Sequence, residues 1–520
     1  MVVVLLLWPL ILLASATFGT RALEALLDPA TWQRAGFTAA QALLSTLLSL
    51  VAGLPVAYAL SHVRFPGRAL LRGLATLPIV LPTVVVALGV QQAFGPTGWV
   101  NAALDSLGRE RVEVVGTLTG ILLAHVCFGS AIVVRLTTRP WASIDPRRAE
   151  AARLLGASTW GTFRHATLPA LLPPALTAAV LVFTFAFTSF GVVLLLGTPN
   201  LDTIEVAVFR LPSQPARWPA AAALTLVQLV MTATAAATYF SLQPTRGMRG
   251  VAADHARSLR AASWGARAML LVALLLVLVV VLLPLASLVA GAVSLDAFAT
   301  LTTAGTRTSI GPIEALAWSV AFALGAAFIA TIAGGAAAVA VARARGRAAI
   351  ILVAVLLAPV AVSAVTVALA YTVGANNDIA DLRGMPLLVL LAQALVAYPF
   401  VLRAVLPVAR ALPLGFAEAA ANLGAAPPRA WLRVSLPLLS RALASGAVFA
   451  FVIALGEVGA TLLLRRREFT TAPVALVEAL AQPGVGGLAS ALALATVLMG
   501  VSVVAFVIME RFRPRNAGEY

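Results

Sequence analysis

The chain has 520 residues, 61% of them hydrophobic and only 11% charged, with a mean hydropathy of +0.99. A soluble globular chain is about half apolar and about a quarter charged, so this composition excludes a soluble enzyme, a disordered chain and a fibre. It describes an all-α polytopic membrane protein. The net charge of +16 does not point to nucleic acid, because the cations flank apolar segments, as membrane orientation requires.

In chain order, twelve segments are apolar over the roughly 20 residues a spanning helix needs. They are Val2–Phe18, Thr38–Leu60, Leu74–Phe94, Val114–Val134, Ala175–Leu196 and Pro219–Phe240, then Ala268–Val289, Ala315–Ala342, Ala348–Gly374, Met385–Leu402, Ala442–Leu464 and Val485–Met509. No basic stretch precedes the first, so it reads as a span rather than a signal peptide. Alternating loops sort the arginines unequally. The side shared with the C-terminus holds 25 of the 36, and the acids run the other way. That side is predicted to be cytoplasmic, with both termini there. Arg465, Arg466 and Arg467 are a local exception on the outer side.

All 36 basic residues are arginine. A P-loop needs a lysine to reach the phosphates, and a Schiff base needs one too, so the chain carries neither. If ATP drives its work, another polypeptide hydrolyses it. The single cysteine, Cys127, excludes an internal disulfide and reads as a packed core thiol. His125 reads as a buried, hydrogen-bonded residue. His62, His165 and His255 sit in loops without ligand partners, so neither a metal nor another cofactor is expected.

The sequence repeats itself. Glu150-Ala-Ala-Arg-Leu-Leu-Gly156-Ala matches Glu418-Ala-Ala-Ala-Asn-Leu-Gly424-Ala at an offset of 268, which also pairs Leu168-Pro169 with Leu436-Pro437 and Gly191 with Gly459. Earlier, Pro78 and Val86-Ala87-Leu88 match Pro359 and Val367-Ala368-Leu369 at an offset of 281, which places 13 extra residues near 101–113 of the first copy. Six spans per copy make the repeat parallel rather than inverted. The expected organisation is a first six-helix half at 1–240, a polar cytoplasmic joint at 241–267 and a second half at 268–520.

In each half the fourth and fifth spans are joined by two short helices around a glycine break, ending at Leu-Pro. Gly156 and Gly424 permit a turn that a side chain opposes. Pro169 and Pro437 start or bend the next span. Leu154, Leu155, Phe163, Leu423 and Trp431 give these segments apolar faces of the kind used for docking.

These two stretches resemble the EAA loop of binding-protein-dependent ATP-binding-cassette (ABC) importer permeases. The first matches through Glu150, Ala151, Ala152, Gly156, Ala157, Phe163, Leu168 and Pro169. The second matches through Glu418, Ala419, Ala420, Gly424, Ala425, Leu436 and Pro437, with Trp431 in place of the phenylalanine. The resemblance covers the whole chain as two fused halves of the type I importer fold. It implies that both loops seat coupling helices in two copies of an ATPase subunit, which holds the ATP and Mg²⁺, and that an extracytoplasmic solute-binding protein delivers cargo. It also implies a bacterial inner-membrane location and no covalent chemistry in this chain.

The fused layout resembles the permeases for thiamine and for ferric iron, with Phe187–Gly197 and Ala454–Leu476 leaning to the thiamine branch. Leu-Gly-Glu-x-Gly-Ala motifs also occur in molybdate and sulfate permeases. Glu457 lies 16 residues after Arg441, about 24 Å along a helix. A carboxylate at that depth faces a cavity or a partner; it either favours a cation such as thiamine, or pairs with a neighbouring helix or sits at a helix end near the outer surface. Ser189, Tyr371, Asn376 and Asn377 are further candidates for the substrate path. Glu205 and Glu314 read as boundary residues. The Arg465–Arg467 cluster, with no counterpart in the first half, is a candidate contact for one lobe of the binding protein. A major-facilitator-like secondary transporter also has twelve spans in parallel halves, but it would need an Asp-Arg-x-Gly-Arg-like loop after span two. Here that loop reads His62-Val-Arg-Phe-Pro-Gly-Arg68. A membrane enzyme would need a catalytic constellation that does not appear.

Overall fold

The computed structural model describes residues 20–211, 218–242, 259–260, 264–302, 310–344, 346–357, 359, 362–374, 385–412, 414–482 and 484–512. The first predicted span, most of the predicted joint, and Asn376 and Asn377 lie outside these residues.

The first repeat opens with α1 (Thr20–Leu27) and α2 (Pro29–His62). Asp28 caps α2 by accepting from the Ala30 amide at 2.9 Å, with Pro29 in the first turn. A two-residue strand, β1 (Val63–Arg64), pairs in parallel with β2 (Leu259–Arg260). Then follow α3 (Arg68–Thr76), α4 (Thr83–Phe94), α5 (Trp99–Ser106), α6 (Leu118–Ala142), α7 (Pro146–Leu154), α8 (Thr159–Thr162), α9 (Leu168–Phe187), α10 (Gly191–Leu196), α11 (Ile204–Arg210) and α12 (Trp218–Leu242). The second repeat comprises α13 (Trp264–Val277), α14 (Leu283–Ser294), α15 (Pro312–Arg343), α16 (Gly346–Leu357), α17 (Ala364–Gly374), α18 (Pro386–Ala411), α19 (Leu414–Asn422), α20 (Pro427–Ala430), α21 (Leu436–Leu455), α22 (Gly459–Leu464), α23 (Ala472–Ala481) and α24 (Val485–Phe512).

Among the described residues, 8 helices are long and apolar enough to cross a membrane, or 9 if one bent pair counts as a span. Two of the twelve predicted spans are broken at prolines rather than straight. Leu74–Phe94 is not one straight helix: the chain bends by 113° between the α3 and α4 segments, because Pro78 and Pro82 have no N–H to continue the ladder. Ala348–Gly374 is split into α16 and α17 around Pro359. Pro219–Phe240 falls within one continuous helix, α12, of 25 residues. Leu43, Leu47, Val51, Leu271, Leu275, Leu324 and Phe328 are exposed on the long helices, where lipid replaces water as their solvent. The 13 extra residues fall on α5 and its return. There Asn101 bonds Gly95 O and Val112 O at 2.9 and 3.0 Å and accepts from the Val112 amide at 2.8 Å.

The repeat is visible in the packing. Helices α2, α6 and α9 pack on one another as α15, α18 and α21 do. The Ile204 amide donates to Thr38 Oγ1 at 3.0 Å, and its counterpart, the Ala472 amide, donates to Ser319 Oγ at 2.6 Å. The copies are interlocked rather than merely adjacent: α13 packs on α2, and α14 packs on both α4 and α24. Three π turns, Phe163–Thr167, Leu278–Leu282 and Trp431–Ser435, each end two residues before a proline. Pro169, Pro284 and Pro437 cannot donate to the carbonyl four residues back. The preceding leucine amide bonds five back instead, and the helix continues.

Thr38→Val and Ser319→Ala each strand a buried backbone amide. Each is expected to cost about 1 kcal/mol, with similar drops in thermal midpoint of the lipid-reconstituted protein. Unchanged melting in both variants would contradict the paired role.

Candidate functional site

Four interrupted helices meet where the repeats face each other. In each copy the fifth predicted span stops short, after Phe187 or Leu455, and restarts at Gly191 or Gly459. The restarts press against the first turns of α4 and α17. A Cβ on Gly191 would stand 2.8 Å from Thr83 Oγ1 and 3.3 Å from Val458, and one on Gly459 would stand 2.7 Å from Val365 and 3.3 Å from Phe190. These glycines thus let each restart sit against the first turn of the preceding interrupted helix of its own repeat, with Val458 and Phe190 of the opposite repeats also at 3.3 Å. The approach encloses a cavity of about 230 Å³ lined by residues of both copies.

Glu457 sits in the break of its copy. Its carboxylate accepts from the amides of Ala460 (2.8 Å) and Thr461 (3.0 Å) and from Thr461 Oγ1 (2.9 Å). It therefore caps α22 and also lines the cavity. Its hydrogen-bond partners belong to the helix that directly follows it, while the carboxylate also borders the cavity. Ser189, its repeat counterpart, lines the same cavity with an unpartnered, buried hydroxyl. Tyr371 does not line it; the ring is buried in the core of the second repeat.

Glu205 corrects the sequence reading. It is not a boundary residue: it is 1% exposed on α11 and lines the cavity. Gln228 donates to it, and Ser363 and the Val365 amide of the other repeat bond it as well. The one sequence sign of this was a lone acid within the apolar run Ile204–Phe209. Glu314 is exposed in the first turn of α15, as a boundary residue would be. His125 is buried, shares its Nδ1 with Ser45 Oγ at 3.0 Å, and turns an unpartnered Nε2 to the cavity wall. Cys127 is fully buried.

A bridge of aromatic rings closes the cavity toward a second one of about 100 Å³. Phe185 and Phe400 lie 6.4 Å apart and nearly parallel, flanked by Phe128 (5.4 Å from Phe185) and Phe449 (5.2 Å from Phe400). Each repeat supplies two of the four. Arg403 lines both cavities, and its repeat counterpart Arg135 lines the second. Nothing in the sequence marked these rings, because single phenylalanines in apolar helices look like ordinary core.

The two repeated loops lie on the arginine-rich face with one geometry. Helix α7 is capped by Asp145, accepting from the Arg147 amide at 2.9 Å, and buries no residue. Gly156 and Gly424 have φ of +82° and +80°, the left-handed turn that favours glycine. The following amides, Ala157 and Ala425, reach back to Ala152 O and Ala420 O, each at 3.0 Å. Ala151 and Ala419 carbonyls accept from Leu155 and Leu423. Glu150 and Glu418 are exposed. Leu154, Leu155 and Leu423 are 88–89% exposed at the tips, whereas Phe163 and Trp431 are half-buried against the bundle.

On the opposite face Arg465 is ion-paired with Glu478 and half-buried, so the three arginines are not equivalent. Arg466 is exposed, and the side chain of Arg467 is outside the described set. The repeat counterpart of Glu478 is Arg210, which pairs with Asp202 at 2.8 Å. The equivalent position thus carries opposite charges in the two copies, each paired with a partner at a different place in its own copy.

Residues 49–290 match the family of binding-protein-dependent transport system inner membrane components. That match covers a little under half of the chain, and the polytopic all-α bundle with its two repeated loops is similar to the membrane components of such transport systems. The thiamine transport system permease protein ThiP of Escherichia coli is 37% identical over 207 residues, covering 39% of this chain and 38% of that protein. ThiP of Brucella abortus is 37% identical over 210 residues with the same coverage. The matched segment thus spans under two fifths of the length of these relatives. A probable sulfate transport system permease protein, cysT, of Marchantia polymorpha is 34% identical over 191 residues, 36% of this chain and 65% of that protein. A solved bacterial alginate ABC transporter chain has a TM-score of 0.39 at 24% identity, covering 46% of this chain and 86% of its own.

Gly459→Val puts a branched side chain against Val365 and is expected to cost about 1–3 kcal/mol. Gly36→Ala, in open space on α2, is expected to gain about 0.5–1 kcal/mol. Thermal melting of both variants in lipid checks the contrast; equal shifts would deny the close approach at Gly459.

Proposed function

We propose that the chain is the membrane-spanning permease subunit of an ABC importer that carries a small solute, thiamine favoured, into the cytoplasm. The observation that carries this reading is the pair of exposed helix–glycine–helix loops at equivalent positions of two repeats. Each of two ATPase subunits would seat one loop, with Leu154, Leu155 and Leu423 buried on docking. ATP and Mg²⁺ would belong to those subunits, consistent with the absence of lysine here. Closure of the ATPase pair would draw the loops together and turn the bundle outward to accept cargo from a solute-binding protein. The arginine bias supports an orientation with both termini in the cytoplasm of a bacterial inner membrane. Thiamine is favoured by the ThiP relatives and by the carboxylates in the central cavity; the sulfate relative makes an oxyanion the alternative cargo.

The outer arginines Arg465, Arg466 and Arg467 would meet acidic residues on one lobe of the binding protein. Changing all three to Gln should lower the association rate and flatten its salt dependence. Equal salt slopes for binding-protein docking in wild type and variant would remove this contact.

Coupling is tested in reconstituted complex. The chain alone should hydrolyse no ATP. Gly156→Val and Gly424→Val should each misplace a docking helix and reduce ATPase assembly or coupled hydrolysis while membrane insertion persists. Full transport by both variants would refute the assignment.

A further inference from the structure

We propose that the central cavity is a binding site for an organic cation, held between Glu205 of one repeat and Glu457 of the other; this deepens the importer reading and rests on it for the word cargo. Both carboxylates are buried, at 1% and 8% exposure, and both line the cavity. Their hydrogen-bond donors are neutral: Gln228, Ser363 and the Val365 amide for Glu205, and Ala460, Thr461 and the Thr461 hydroxyl for Glu457. Among the described residues no arginine forms an ion pair with either. Two acids within a membrane bundle, oriented by neutral donors and left without a counter-ion, are arranged to receive a positive charge.

A second observation is independent of the acids. Ser189 Oγ and His125 Nε2 are buried, with their residues 7% and 6% exposed; they line the same cavity and have no hydrogen-bond partner. Buried polar atoms are nearly always satisfied by protein, water or ligand, so these two offer hydrogen-bonding positions to a group that enters the cavity. Phe190 and Phe400 add aromatic surface to the wall, which suits a cation on a planar body. Arg403 lines this cavity and also the one beyond the aromatic bridge, whereas the four polar groups line only the first. The site is thus acidic at one end and basic at the other, and the cationic head belongs at the acidic end. A compact oxyanion would meet two carboxylates there.

The test uses the full-length chain in lipid nanodiscs with radiolabelled thiamine as probe, and with benzyltrimethylammonium and sulfate as competitors. Saturable thiamine binding is expected, displaced by benzyltrimethylammonium and not by sulfate. Glu205→Gln and Glu457→Gln should each weaken it by at least about tenfold, and Ser189→Ala by several-fold. Because Glu457 also caps α22, melting is measured alongside. If Glu457→Gln does not fold, Glu205→Gln against the charge-keeping Glu205→Asp decides, with Asp retaining more affinity. Unchanged affinity in Glu205→Gln, displacement by sulfate alone, or no binding of either cation by the wild-type chain would overturn the site. Assembly of the wild-type chain with its ATPase is scored separately. Failure there removes the importer reading and leaves the binding result standing. Assembly accompanied by sulfate uptake removes the cation site and keeps the importer.

Discussion

A helix that stops inside a bilayer leaves backbone N–H and C=O groups with no water to bond, and this chain interrupts four helices where its repeats meet. Three of these interruptions show local partners. The Leu81 and Val362 amides fold back to Pro78 O and Pro359 O at 3.2 Å. The Glu457 carboxylate serves the start of α22. Satisfying those groups without water requires the interrupted ends to be buried in protein, and packing each restart on the first turn of α4 or α17 leaves room only for glycine at 191 and 459. The cavity is what remains between ends that cannot approach further.

The repeats are therefore similar in backbone and different in chemistry. The same turn holds Ser189 in one copy and Glu457 in the other. The same position after the outer loop holds Arg210 in one and Glu478 in the other, each finding an opposite partner. A fused chain can diversify its two copies independently, which two identical subunits cannot do. The result is an acid-lined centre and an asymmetric outer face on a pseudo-symmetric frame, while the two arginine-rich-face loops stay alike.

Those loops show the complementary pattern. Their backbone is over-determined by a left-handed glycine, a back-bonded alanine and a π turn forced by the proline that follows. Their side chains have little to pack against within the chain. A rigid loop with exposed leucines at its tip is stable here because the turn, not burial, specifies it.

The sequence by itself determined the membrane class, the duplication and the two glycine-centred loops. Each depends on composition or on local spacing, and neither changes with tertiary contacts. It also located Glu457 and Ser189, since polar residues in apolar runs stand out. Tertiary structure alone decided that Leu74–Phe94 and Ala348–Gly374 are bent or split. An apolar run has the same hydropathy straight or broken, and only packing selects between the two. It decided as well that Glu205 is interior, that Tyr371 is core, that Arg465 is already paired, and that four phenylalanines from distant helices form one bridge. Those outcomes rest on which residues meet across sequence separations of tens to hundreds of positions, and hydrophobic periodicity carries no record of such meetings.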